Sequence, residues 1–536
     1  MKKLILIFLA IPAAIAAFAD NENYDGQDLT YWDFSGKSLV NSSWVSAMAF
    51  EAHFNNANLT SANFTHFWAD KSTFAGANFT DVIISGASLS ETTSGGFTKE
   101  QLYSTANYKD KNLSNVDIAS NDLSGWDFSN QNLTGTIFSF SNLTSANFAN
   151  SIITEARLQR TVEIGFTKEQ LYSTKSYQDK NLRGVSLWGN DLSGWNFSNQ
   201  NLEDAVFEAS NFTDADFSSA NLTEADFHST TLTNTNFTNA SINGADFGKT
   251  VEFGFTKEQL YSTKNYQDKN LAGITLSYNT VDGWDFSGQN MSGAYFSFAW
   301  FFNVNFTGAN LTGADFTETD LDGSNFTSAD LRGAYIEQAT GTPIYKNTIF
   351  TDGAIKNFSM ASAEDSLKIG VHESSAKISE ADATVSGGAS IELAVGAKLE
   401  VVNGRTLTMA DGGNLIINTD AAGSTMLSVE SGAGLAFESG TILRVNIVGA
   451  FDPSETHLLA VMGWEDGASV SGANVFVAGE TIFLSLNGEA YSGGWDYQIS
   501  ENQFQIVFAE IPEPAAYAAV LGALAMAAAA LRRRAK

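Results

Sequence analysis

Residues 57–66 read ANLTSANFTH, and a large apolar residue returns at every fifth position, first at Leu59 and then at Phe64. The same spacing runs from Leu29 to Ile336 in four registers, which cover residues 29–89, 113–158, 182–247 and 271–336. All 51 register positions are apolar, although only 43% of the whole chain is hydrophobic. A small residue, such as Ala57, often stands two positions before the large one.

A period of five fits neither the 3.6-residue period of a helix nor the 2.0-residue period of a strand. It fits a chain that turns a corner every five residues, with a small and a large side chain pointing inward on each face. Four faces then close a coil of about twenty residues, and successive coils stack at the strand spacing of about 4.8 Å. The register therefore predicts a long β-solenoid.

The pattern A-[DN]-[LF]-x-x resembles the repeat of the pentapeptide-repeat family. This resemblance implies an all-β fold, a right-handed quadrilateral parallel β-helix, but it implies little about function, because fold and site are separate matters. We expect this helix to be interrupted by short helical inserts. A second β-rich domain, either a β-solenoid or a sandwich, and a C-terminal transmembrane helix are expected to follow it.

A longer repeat interrupts the five-residue register. The decamer GFTKEQLYST occupies residues 96–105, 165–174 and 254–263. Thr98 followed three residues later by Gln101 is a capping-box pattern, which predicts a short helix. We expect Leu102 and Tyr103 to face the solenoid and the insert to cover exposed coil edges, which otherwise invite strand addition. A ligand site on the polar side chains of the decamer is the alternative.

A tryptophan stands at a usually small position of the repeat after each decamer. These residues are Trp126, Trp195 and Trp284. We expect them to fill a widened coil beside the insert, and the alternative is that they bind sugar.

The composition narrows the function classes. Lys and Arg number 29 against 60 Asp and Glu, which gives a net charge of −31. Such a charge argues against binding to nucleic-acid phosphates and favours attraction of cations. The chain has no cysteine, which excludes disulfides and thiolate metal sites.

The N-terminus has the pattern of a secretory signal peptide. Lys2 and Lys3 precede an apolar run over residues 4–17, and the motif Ala17-Phe18-Ala19 is typical of a cleavage site. The predicted mature chain begins at Asp20. The alternative is an uncleaved anchor.

The C-terminus carries a second targeting pattern. The motif Pro512-Glu513-Pro514 precedes a mostly apolar segment, residues 515–531, and a basic end. That basic end is Arg532, Arg533 and Arg534. The segment lies at the short end of what spans a bilayer, and the arginines would remain cytoplasmic. The whole tail resembles the PEP-CTERM sorting signal, which implies export and processing by an exosortase. A simple tail anchor is the alternative.

The region before this tail shows short alternating runs separated by Gly, Asn and Asp, which predict β-strands. Its early part, to about residue 437, resembles the passenger repeats of autotransporter-like adhesins. A final hairpin is predicted from residues 497–499 and 504–508, with a turn at Glu501-Asn502.

These patterns divide the chain into eight segments. The predicted bounds are 1–19 for the signal peptide, 20–95 for block 1, 96–164, 165–253 and 254–340 for blocks 2 to 4 with their inserts, 341–366 for a linker, 367–509 for the β-rich domain and 510–536 for the sorting signal with its transmembrane helix.

No catalytic or metal-binding motif is present in the sequence, so we predict no enzyme activity, cofactor or metal. The five histidines are scattered: His53, His66, His228, His372 and His457. The outward residues Asp214, Asp216 and Asp226 could collect Ca²⁺ loosely. An enzyme hidden in residues 360–508 stays open, with no residue to propose.

The predicted function is that of an exported structural or interaction protein of the cell envelope, surface or extracellular matrix, with a rigid acidic rod. Before processing the C-terminal helix would anchor it in the membrane. Its expected partners are the Sec export machinery and an exosortase-like enzyme, with extracellular polysaccharide or self-association open and nucleic acid excluded. A ligand-binding face for glycan, divalent cation or ice is the alternative, the last through threonines that follow the centres. Those threonines are Thr60, Thr65, Thr80, Thr307, Thr312 and Thr317. A rod that mimics DNA towards a topoisomerase is a weaker alternative.

Overall fold

The computed structural model describes residues 20–370, 372 and 374–419 and nine shorter segments towards the C-terminus. These segments are 427–431, 433–438, 441–447, 458–464, 469–471, 482–486, 489–490, 495–499 and 503–508. The chain divides into two compact units, Met1–Asp268 and Lys269–Lys536.

In the first unit the five-residue period produces a parallel ladder that links each coil to the next. Asp33 pairs with His53, and His53 pairs with Thr73, in parallel bridges. Equivalent bridges form at every fifth residue along a coil, for example at Asp28, Asp33 and Ser38. Four five-residue faces therefore make one coil, which confirms the prediction from the sequence.

Each five-residue unit uses its positions in the same way. The Ala52 and Phe54 side chains point inward and have no exposed surface. Asn56 turns the next corner with a left-handed φ of 57°, a conformation that asparagine tolerates better than most residues. Phe34, Phe54 and Phe74 stack in successive coils with ring centroids 5.1 Å apart. The core is a column of such rings and of the small residues beside them.

Each insert contains one 3-10 turn and two short α-helices. Their bounds are Thr93–Gly95, α1 Lys99–Ser104 and α2 Ala106–Lys109; Val162–Ile164, α3 Lys168–Ser173 and α4 Lys175–Gln178; and Val251–Phe253, α5 Lys257–Tyr261 and α6 Lys264–Gln267.

The first insert supplies ladder partners to the coil that precedes it. The Ile84 N–H donates to Asn107 Oδ1 at 2.7 Å, in place of a carbonyl of the next coil. The ladder resumes where Ser88 pairs with Asp117, a wider interval than one ordinary coil because the insert lies between them. The insert therefore covers the edge of a coil from within the stack, which agrees with the sequence-based expectation.

In the second unit, the coils of block 4 from residue 269 onwards have the same five-residue repeat. Strands β1 (Thr280–Asp282) and β2 (Trp300–Phe302) are the two places where its faces lengthen into short regular strands, and they pair in parallel. The centres Phe296, Phe306 and Phe316 have no exposed surface, as in the first unit.

The prediction of a linker at residues 341–366 is wrong. Ile349 pairs in parallel with Asp330 of the preceding coil. Strands β3 (Thr348–Ile349) and β4 (Ile355–Lys356) then form an antiparallel pair. The apolar register ends near Ile336, but backbone ladder bonds do not require a large side chain at every fifth position, so the ladder continues without it.

From residue 366 onwards the described segments form a three-sheet solenoid, in which the strand pairs are parallel except for those made by the last three strands. The strands are β5 Ser366–Ile369, β6 Ala376–Ile378, β7 Ala383–Val385, β8 Ser390–Leu393, β9 Leu399–Val401, β10 Thr406–Met409, β11 Asn414–Thr419, β12 Leu427–Val429, β13 Gly434–Phe437, β14 Ile442–Ile447, β15 Leu458–Trp464, β16 Ser469–Ser471, β17 Ile482–Leu486, β18 Glu489–Ala490, β19 Trp495–Ile499 and β20 Gln503–Phe508. The sheet orders are β18-β17-β14-β11-β8-β5, β19-β20-β15-β12-β9-β6 and β16-β13-β10-β7. Every third strand up to β17 returns to the same sheet, which decides for a solenoid over a sandwich.

The core of this second solenoid is a column of aliphatic side chains. Five of its fully buried members are register partners in one sheet: Leu367, Ile391, Leu415, Leu443 and Ile482. The strand pairing of the predicted terminal hairpin is confirmed, since β19 and β20 are antiparallel and Tyr497 pairs with Ile506. Its predicted turn at Glu501-Asn502 lies outside the described residues.

Two predicted segments, the signal peptide at 1–19 and the sorting tail at 510–536, lie outside the described residues. Within the described part of the chain, no helix combines the length and the apolar character needed to cross a membrane.

Candidate interaction surface

Asp20 is the one residue of the predicted export and sorting sites that the structure describes. Its carboxylate accepts a hydrogen bond from the Val40 N–H at 3.4 Å and another from the Ser38 hydroxyl. At the next residue, the Asn21 N–H makes a ladder bond to the Val40 carbonyl at 2.8 Å. The remaining predicted residues lie outside the described ones: Ala17, Ala19, Pro512, Glu513, Pro514, Arg532, Arg533 and Arg534.

The outward positions of the coils carry Asn and Asp side chains that bind one another along the ladder. Asn211 Nδ2 donates to Asp191 Oδ1 at 3.0 Å, and the same oxygen accepts the Ser193 N–H at 3.1 Å. The same amide-to-carboxylate bond joins Asn142 to Asp122, Asn147 to Asp127, Asn236 to Asp216 and Asn305 to Asp285. These polar groups hold the solenoid together and are already engaged within it.

The threonines considered for ice binding do not form one array. Thr60 and Thr80 lie one coil apart and stack on one face, whereas Thr65 lies on the next face. The Thr60 hydroxyl donates to Asn58 Oδ1 at 2.7 Å, so it is committed to a turn. The other three predicted positions, Thr307, Thr312 and Thr317, occupy three successive faces, because only residues a whole coil apart share a face.

The aspartates considered for loose Ca²⁺ binding are also hydrogen-bonded. Asp214 accepts from Asn234 Nδ2 at 3.1 Å, and Asp226 accepts from the His228 N–H at 2.8 Å. Asp216 and Asp226 are half a coil apart and therefore lie on opposite faces. Among the described residues, His, Asp and Glu side chains nowhere gather in a group of three that could hold a metal ion.

The decamer forms the predicted capping box, with an additional role for its glutamine. The Thr98 hydroxyl accepts from the Gln101 N–H, and Gln101 Oε1 accepts from the Thr98 N–H at 2.8 Å. Gln101 Nε2 also donates to the carbonyls of Phe74 and Ala77 at 2.7 and 2.8 Å. These last bonds could not be predicted from the sequence, because their acceptors lie in an earlier coil. The only indication of an additional role for the glutamine was that all three decamers are identical.

The predicted role of the tryptophans agrees with the structure. Trp126 and Trp195 are each only 6% exposed. The Trp126 ring lies 6.0 Å from Phe97, the second residue of the decamer, and Trp195 lies 6.3 Å from the equivalent Phe166. They pack between a coil and its insert, so they present little surface to a ligand.

Block 4 carries an exposed aromatic row that the sequence analysis missed. One coil presents three large rings on two neighbouring faces and the corner between them; this aromatic row is Tyr295, Phe298 and Trp300, with exposures of 55%, 37% and 48%. The next coil presents a carboxylate at each equivalent position; this acidic row is Asp315, Glu318 and Asp320. The two rows are adjacent because Tyr295 pairs with Asp315 and Trp300 with Asp320 in the parallel ladder. Comparison of residues twenty positions apart, the length of one coil, could have identified these two rows from the sequence.

Two carboxylates in the first unit are half-buried beside other acidic groups. Burial raises the pKa of Asp117, and the nearby charge of Asp70 raises that pKa further. The Ser88 hydroxyl lies between these two side chains, donating to Asp70 and, at 3.3 Å, to Asp117 Oδ2. Burial likewise raises the pKa of Asp246, which is next to Asp226 in the ladder.

A shallow depression of about 620 Å³ lies beside the 3-10 turn of the second insert. Phe140 and Ile164 supply its apolar lining, and Asp122, Asn142 and Glu163 are among its polar residues. Asp122 and Asn142 are hydrogen-bonded to each other at 2.9 Å, so part of this polar lining belongs to the ladder.

Comparisons with known protein families identify the same five-residue repeat. A family model described as pentapeptide repeats matches residues 57–93, 112–150, 122–160, 270–308 and 301–338, and one described as a pentapeptide repeat region matches residues 180–254. No curated protein matches the chain significantly.

Three solved structures are similar to parts of the chain. HetL from the cyanobacterium Nostoc sp., involved in heterocyst differentiation regulation, is 21% identical over 46% of this chain and 91% of its own, with a TM-score of 0.17. A pentapeptide repeat protein from the Arabidopsis thaliana thylakoid lumen is 21% identical over 25% of this chain and 65% of its own, with a TM-score of 0.13. QnrB1, a plasmid-mediated fluoroquinolone resistance protein, is 11% identical over 48% of this chain and 93% of its own, with a TM-score of 0.13.

Proposed function

We propose that this chain, a β-solenoid whose repeats match pentapeptide-repeat family models, is an exported, non-enzymatic structural or interaction protein of the cell envelope, the cell surface or the extracellular matrix. A solenoid repeats the same surface positions in every coil, so a residue type that recurs at one position becomes an extended row. With a net charge of −31, such a surface is acidic and attracts cationic partners.

The observation that carries this proposal is the use of the outward polar side chains. The side chains of the aspartate and asparagine ladders, such as Asp191 and Asn211, form hydrogen bonds with the neighbouring coil. A surface built in this way is regular and stable. These properties suit a scaffold protein that presents an extended surface to its partners. What it binds is then decided by the positions that depart from the ladder pattern.

Export and sorting are supported by the residues at the two ends. The motif Ala17-Phe18-Ala19 lies at the end of an apolar run that Lys2 and Lys3 precede, which is the pattern of a signal peptide cleaved before Asp20. At the other end, Pro512-Glu513-Pro514 precedes an apolar segment and three arginines. We assign these segments to the Sec machinery and to an exosortase-like enzyme, with membrane anchoring by the C-terminal segment before processing.

The test is the mass and terminal sequence of the mature protein, isolated separately from each fraction of its native cells. A chain that begins near Asp20, ends near Pro512–Pro514 and fractionates outside the inner membrane is the expected result. A chain that keeps Arg532–Arg534 in the inner membrane would make the tail an anchor and the protein a periplasmic scaffold. Recovery mainly from the cytosol, with residues 1–19 retained, would overturn the proposal.

A matched pair of variants separates the sorting motif from a general effect of proline. Replacement of Pro512 and Pro514 by alanine is expected to leave the C-terminal segment attached and to hold the protein in the membrane fraction. The control, Pro453→Ala, changes a proline outside the motif and is expected to be processed as the wild type. Equal processing of both variants would show that the Pro-Glu-Pro motif is not required for sorting.

A second candidate function, ligand binding on a solenoid face, is favoured by the aromatic row. Large exposed rings at Tyr295, Phe298 and Trp300 depart from the small polar residues that fill most outward positions.

A further inference from the structure

The aromatic row and the acidic row together form a surface with two chemical halves. Backbone pairing fixes the two rows one ladder step apart, about 4.8 Å. The Phe298 N–H donates to the Thr317 carbonyl at 3.0 Å, which places the Phe298 corner against the corner that carries Glu318. Each ring therefore has a carboxylate as its neighbour in the next coil.

The rings are not required by the fold. The preceding coil has Thr275 and Thr280 at the ladder positions that Tyr295 and Trp300 occupy, and it forms the same bridges. Phe298 stands at a corner with a φ of 61°, where a bulky side chain is disfavoured and glycine or asparagine is not. Its ring stacks on Tyr278 with centroids 5.0 Å apart and planes 7° apart, yet it stays partly exposed.

Two of the three carboxylates of the acidic row are held in place by backbone hydrogen bonds. Asp315 Oδ1 accepts the Thr317 N–H at 2.8 Å, and Asp320 Oδ1 accepts the Asp322 N–H at 3.1 Å. Each of these aspartates keeps its second oxygen for another donor. Among the described residues, no lysine, arginine or histidine forms an ion pair with Asp315, Glu318 or Asp320.

A ring beside a carboxylate matches the chemistry of a lysine or arginine side chain, which has an apolar stem and a cationic end. The chain contains an internal example of this contact. Lys356 Nζ lies 5.2 Å from the centroid of the Phe350 ring and also binds the carboxylate of Glu380. Elsewhere the Arg160 guanidinium lies 4.9 Å over the Trp188 ring.

We propose that the two rows form a binding surface for a basic peptide segment of a partner protein, whose Lys and Arg side chains stack on the aromatic row and pair with the acidic row. Charge complementarity favours a basic partner over a neutral glycan, because three carboxylates line the rings and the whole chain is strongly acidic. A basic peptide is thus the class of partner that we assign to the interaction role proposed above, and this assignment does not depend on export.

The test uses the purified full chain and a fluorescent peptide of alternating Arg and Lys, with a Gln-substituted peptide and a neutral soluble polysaccharide as further probes. Binding is measured by fluorescence anisotropy over a range of salt concentrations. The variant Tyr295→Thr, Trp300→Thr copies the preceding coil and keeps every charge. We expect it to weaken binding of the basic peptide about tenfold while thermal unfolding is unchanged.

A charge-matched pair of variants tests specificity. Neutralising the acidic row by Asp315→Asn, Glu318→Gln and Asp320→Asn is expected to abolish binding. The control removes three acidic charges from the first unit by Asp191→Asn, Asp216→Asn and Glu224→Gln, and is expected to change binding less than twofold. Equal losses in the two triple variants, or no loss on removal of the rings, would overturn the proposal. Ring-dependent binding of the polysaccharide without binding of the basic peptide would also overturn it and would assign the surface to a glycan.

These outcomes are independent of the cell-fractionation test, because the peptide assay is made with purified protein. Loss of peptide binding leaves export untouched, and a cytosolic location leaves the surface chemistry untouched.

Discussion

Arg332 and Asp330 form a bidentate ion pair inside the second unit. Arg332 Nε lies 2.9 Å from Asp330 Oδ1, and Arg332 Nη2 lies 2.6 Å from Asp330 Oδ2. Their side chains are 0% and 6% exposed. The guanidinium also donates to the carbonyls of Gly370 and Ser374 at 2.7 and 2.6 Å. One side chain thus joins a late five-residue coil to Gly370, just after β5, and to Ser374, just before β6.

Replacement of Arg332 by alanine should destabilise the region around β5 and β6 by about 3–5 kcal/mol, because it leaves a buried carboxylate without its cationic partner and two carbonyls without their donor. Hydrogen exchange of the amides in residues 366–378 measures this loss locally. The control Arg183→Ala removes an exposed arginine that pairs with Glu155 and Asp204, and it should cost less than about 1 kcal/mol. Equal effects of the two changes would contradict the role given to burial.

The variant Gln101→Glu should loosen α1 from the coil below it. The carboxylate can still accept the Thr98 N–H, but it cannot donate to the two carbonyls that Gln101 Nε2 now binds. We expect a loss of about 2–3 kcal/mol, seen as faster hydrogen exchange in residues 99–104. Gln178→Glu is the control, since its amide makes one exposed bond to the Ser173 carbonyl at 3.2 Å. If α1 exchanged at the wild-type rate, the two carbonyl bonds would not matter.

The variant Asp117→Asn should stabilise the protein at neutral pH. Burial raises the pKa of Asp117 in the folded state, so its ionised form opposes folding. This penalty is present above the folded-state pKa and is relieved as the pH falls through that pKa towards the unfolded-state value. The difference in unfolding temperature between variant and wild type should therefore be largest near pH 7 and shrink in acid.

The control for this pH series is Asp191→Asn, which changes an exposed aspartate of the ladder. The amide oxygen of the variant can still accept the Asn211 amide and the Ser193 N–H, so we expect no gain in unfolding temperature that is present at neutral pH and lost in acid. A gain for Asp117→Asn that persisted unchanged in acid would mean that packing, and not ionisation, is responsible.

Two phenylalanines of one coil should differ sharply in their effect on stability. Phe296 is fully buried, and Phe296→Ala should cost about 3–5 kcal/mol. Phe298 is 37% exposed at a left-handed corner, so Phe298→Asn loses ring stacking but relieves the strained φ, and its net effect should stay within about 1 kcal/mol. Thermal unfolding of both variants checks the contrast. A large loss for Phe298→Asn would show that its ring belongs to the core.

The sequence predicted the features that repeat locally. Each large apolar residue, such as Phe54 or Phe64, stands at a fixed distance from the next, so the five-residue coil could be inferred without knowledge of any distant contact. The capping box of Thr98 and Gln101 lies within one helical turn and was equally readable. The linker was mispredicted because residues 341–366 keep the ladder through backbone bonds and not through an apolar register.

The candidate surface was not predicted, because its parts are far apart in sequence. Tyr295 and Asp315 are a whole coil apart, and they become neighbours only when the coil closes after four faces. The Arg332 guanidinium donates to the carbonyls of Gly370 and Ser374, which lie much later in the chain, so no short motif could predict these bonds.

By itself the sequence determined the architecture of residues 29–336, because an apolar side chain at every fifth position can be buried only by a chain that turns at that interval. Tertiary structure decided which outward side chains stand side by side, how the inserts bond to the coils, and how the pentapeptide ladder passes into a three-sheet solenoid. The physical reason is that burial of one face is a local periodic requirement, whereas contacts between coils depend on closure of the whole turn.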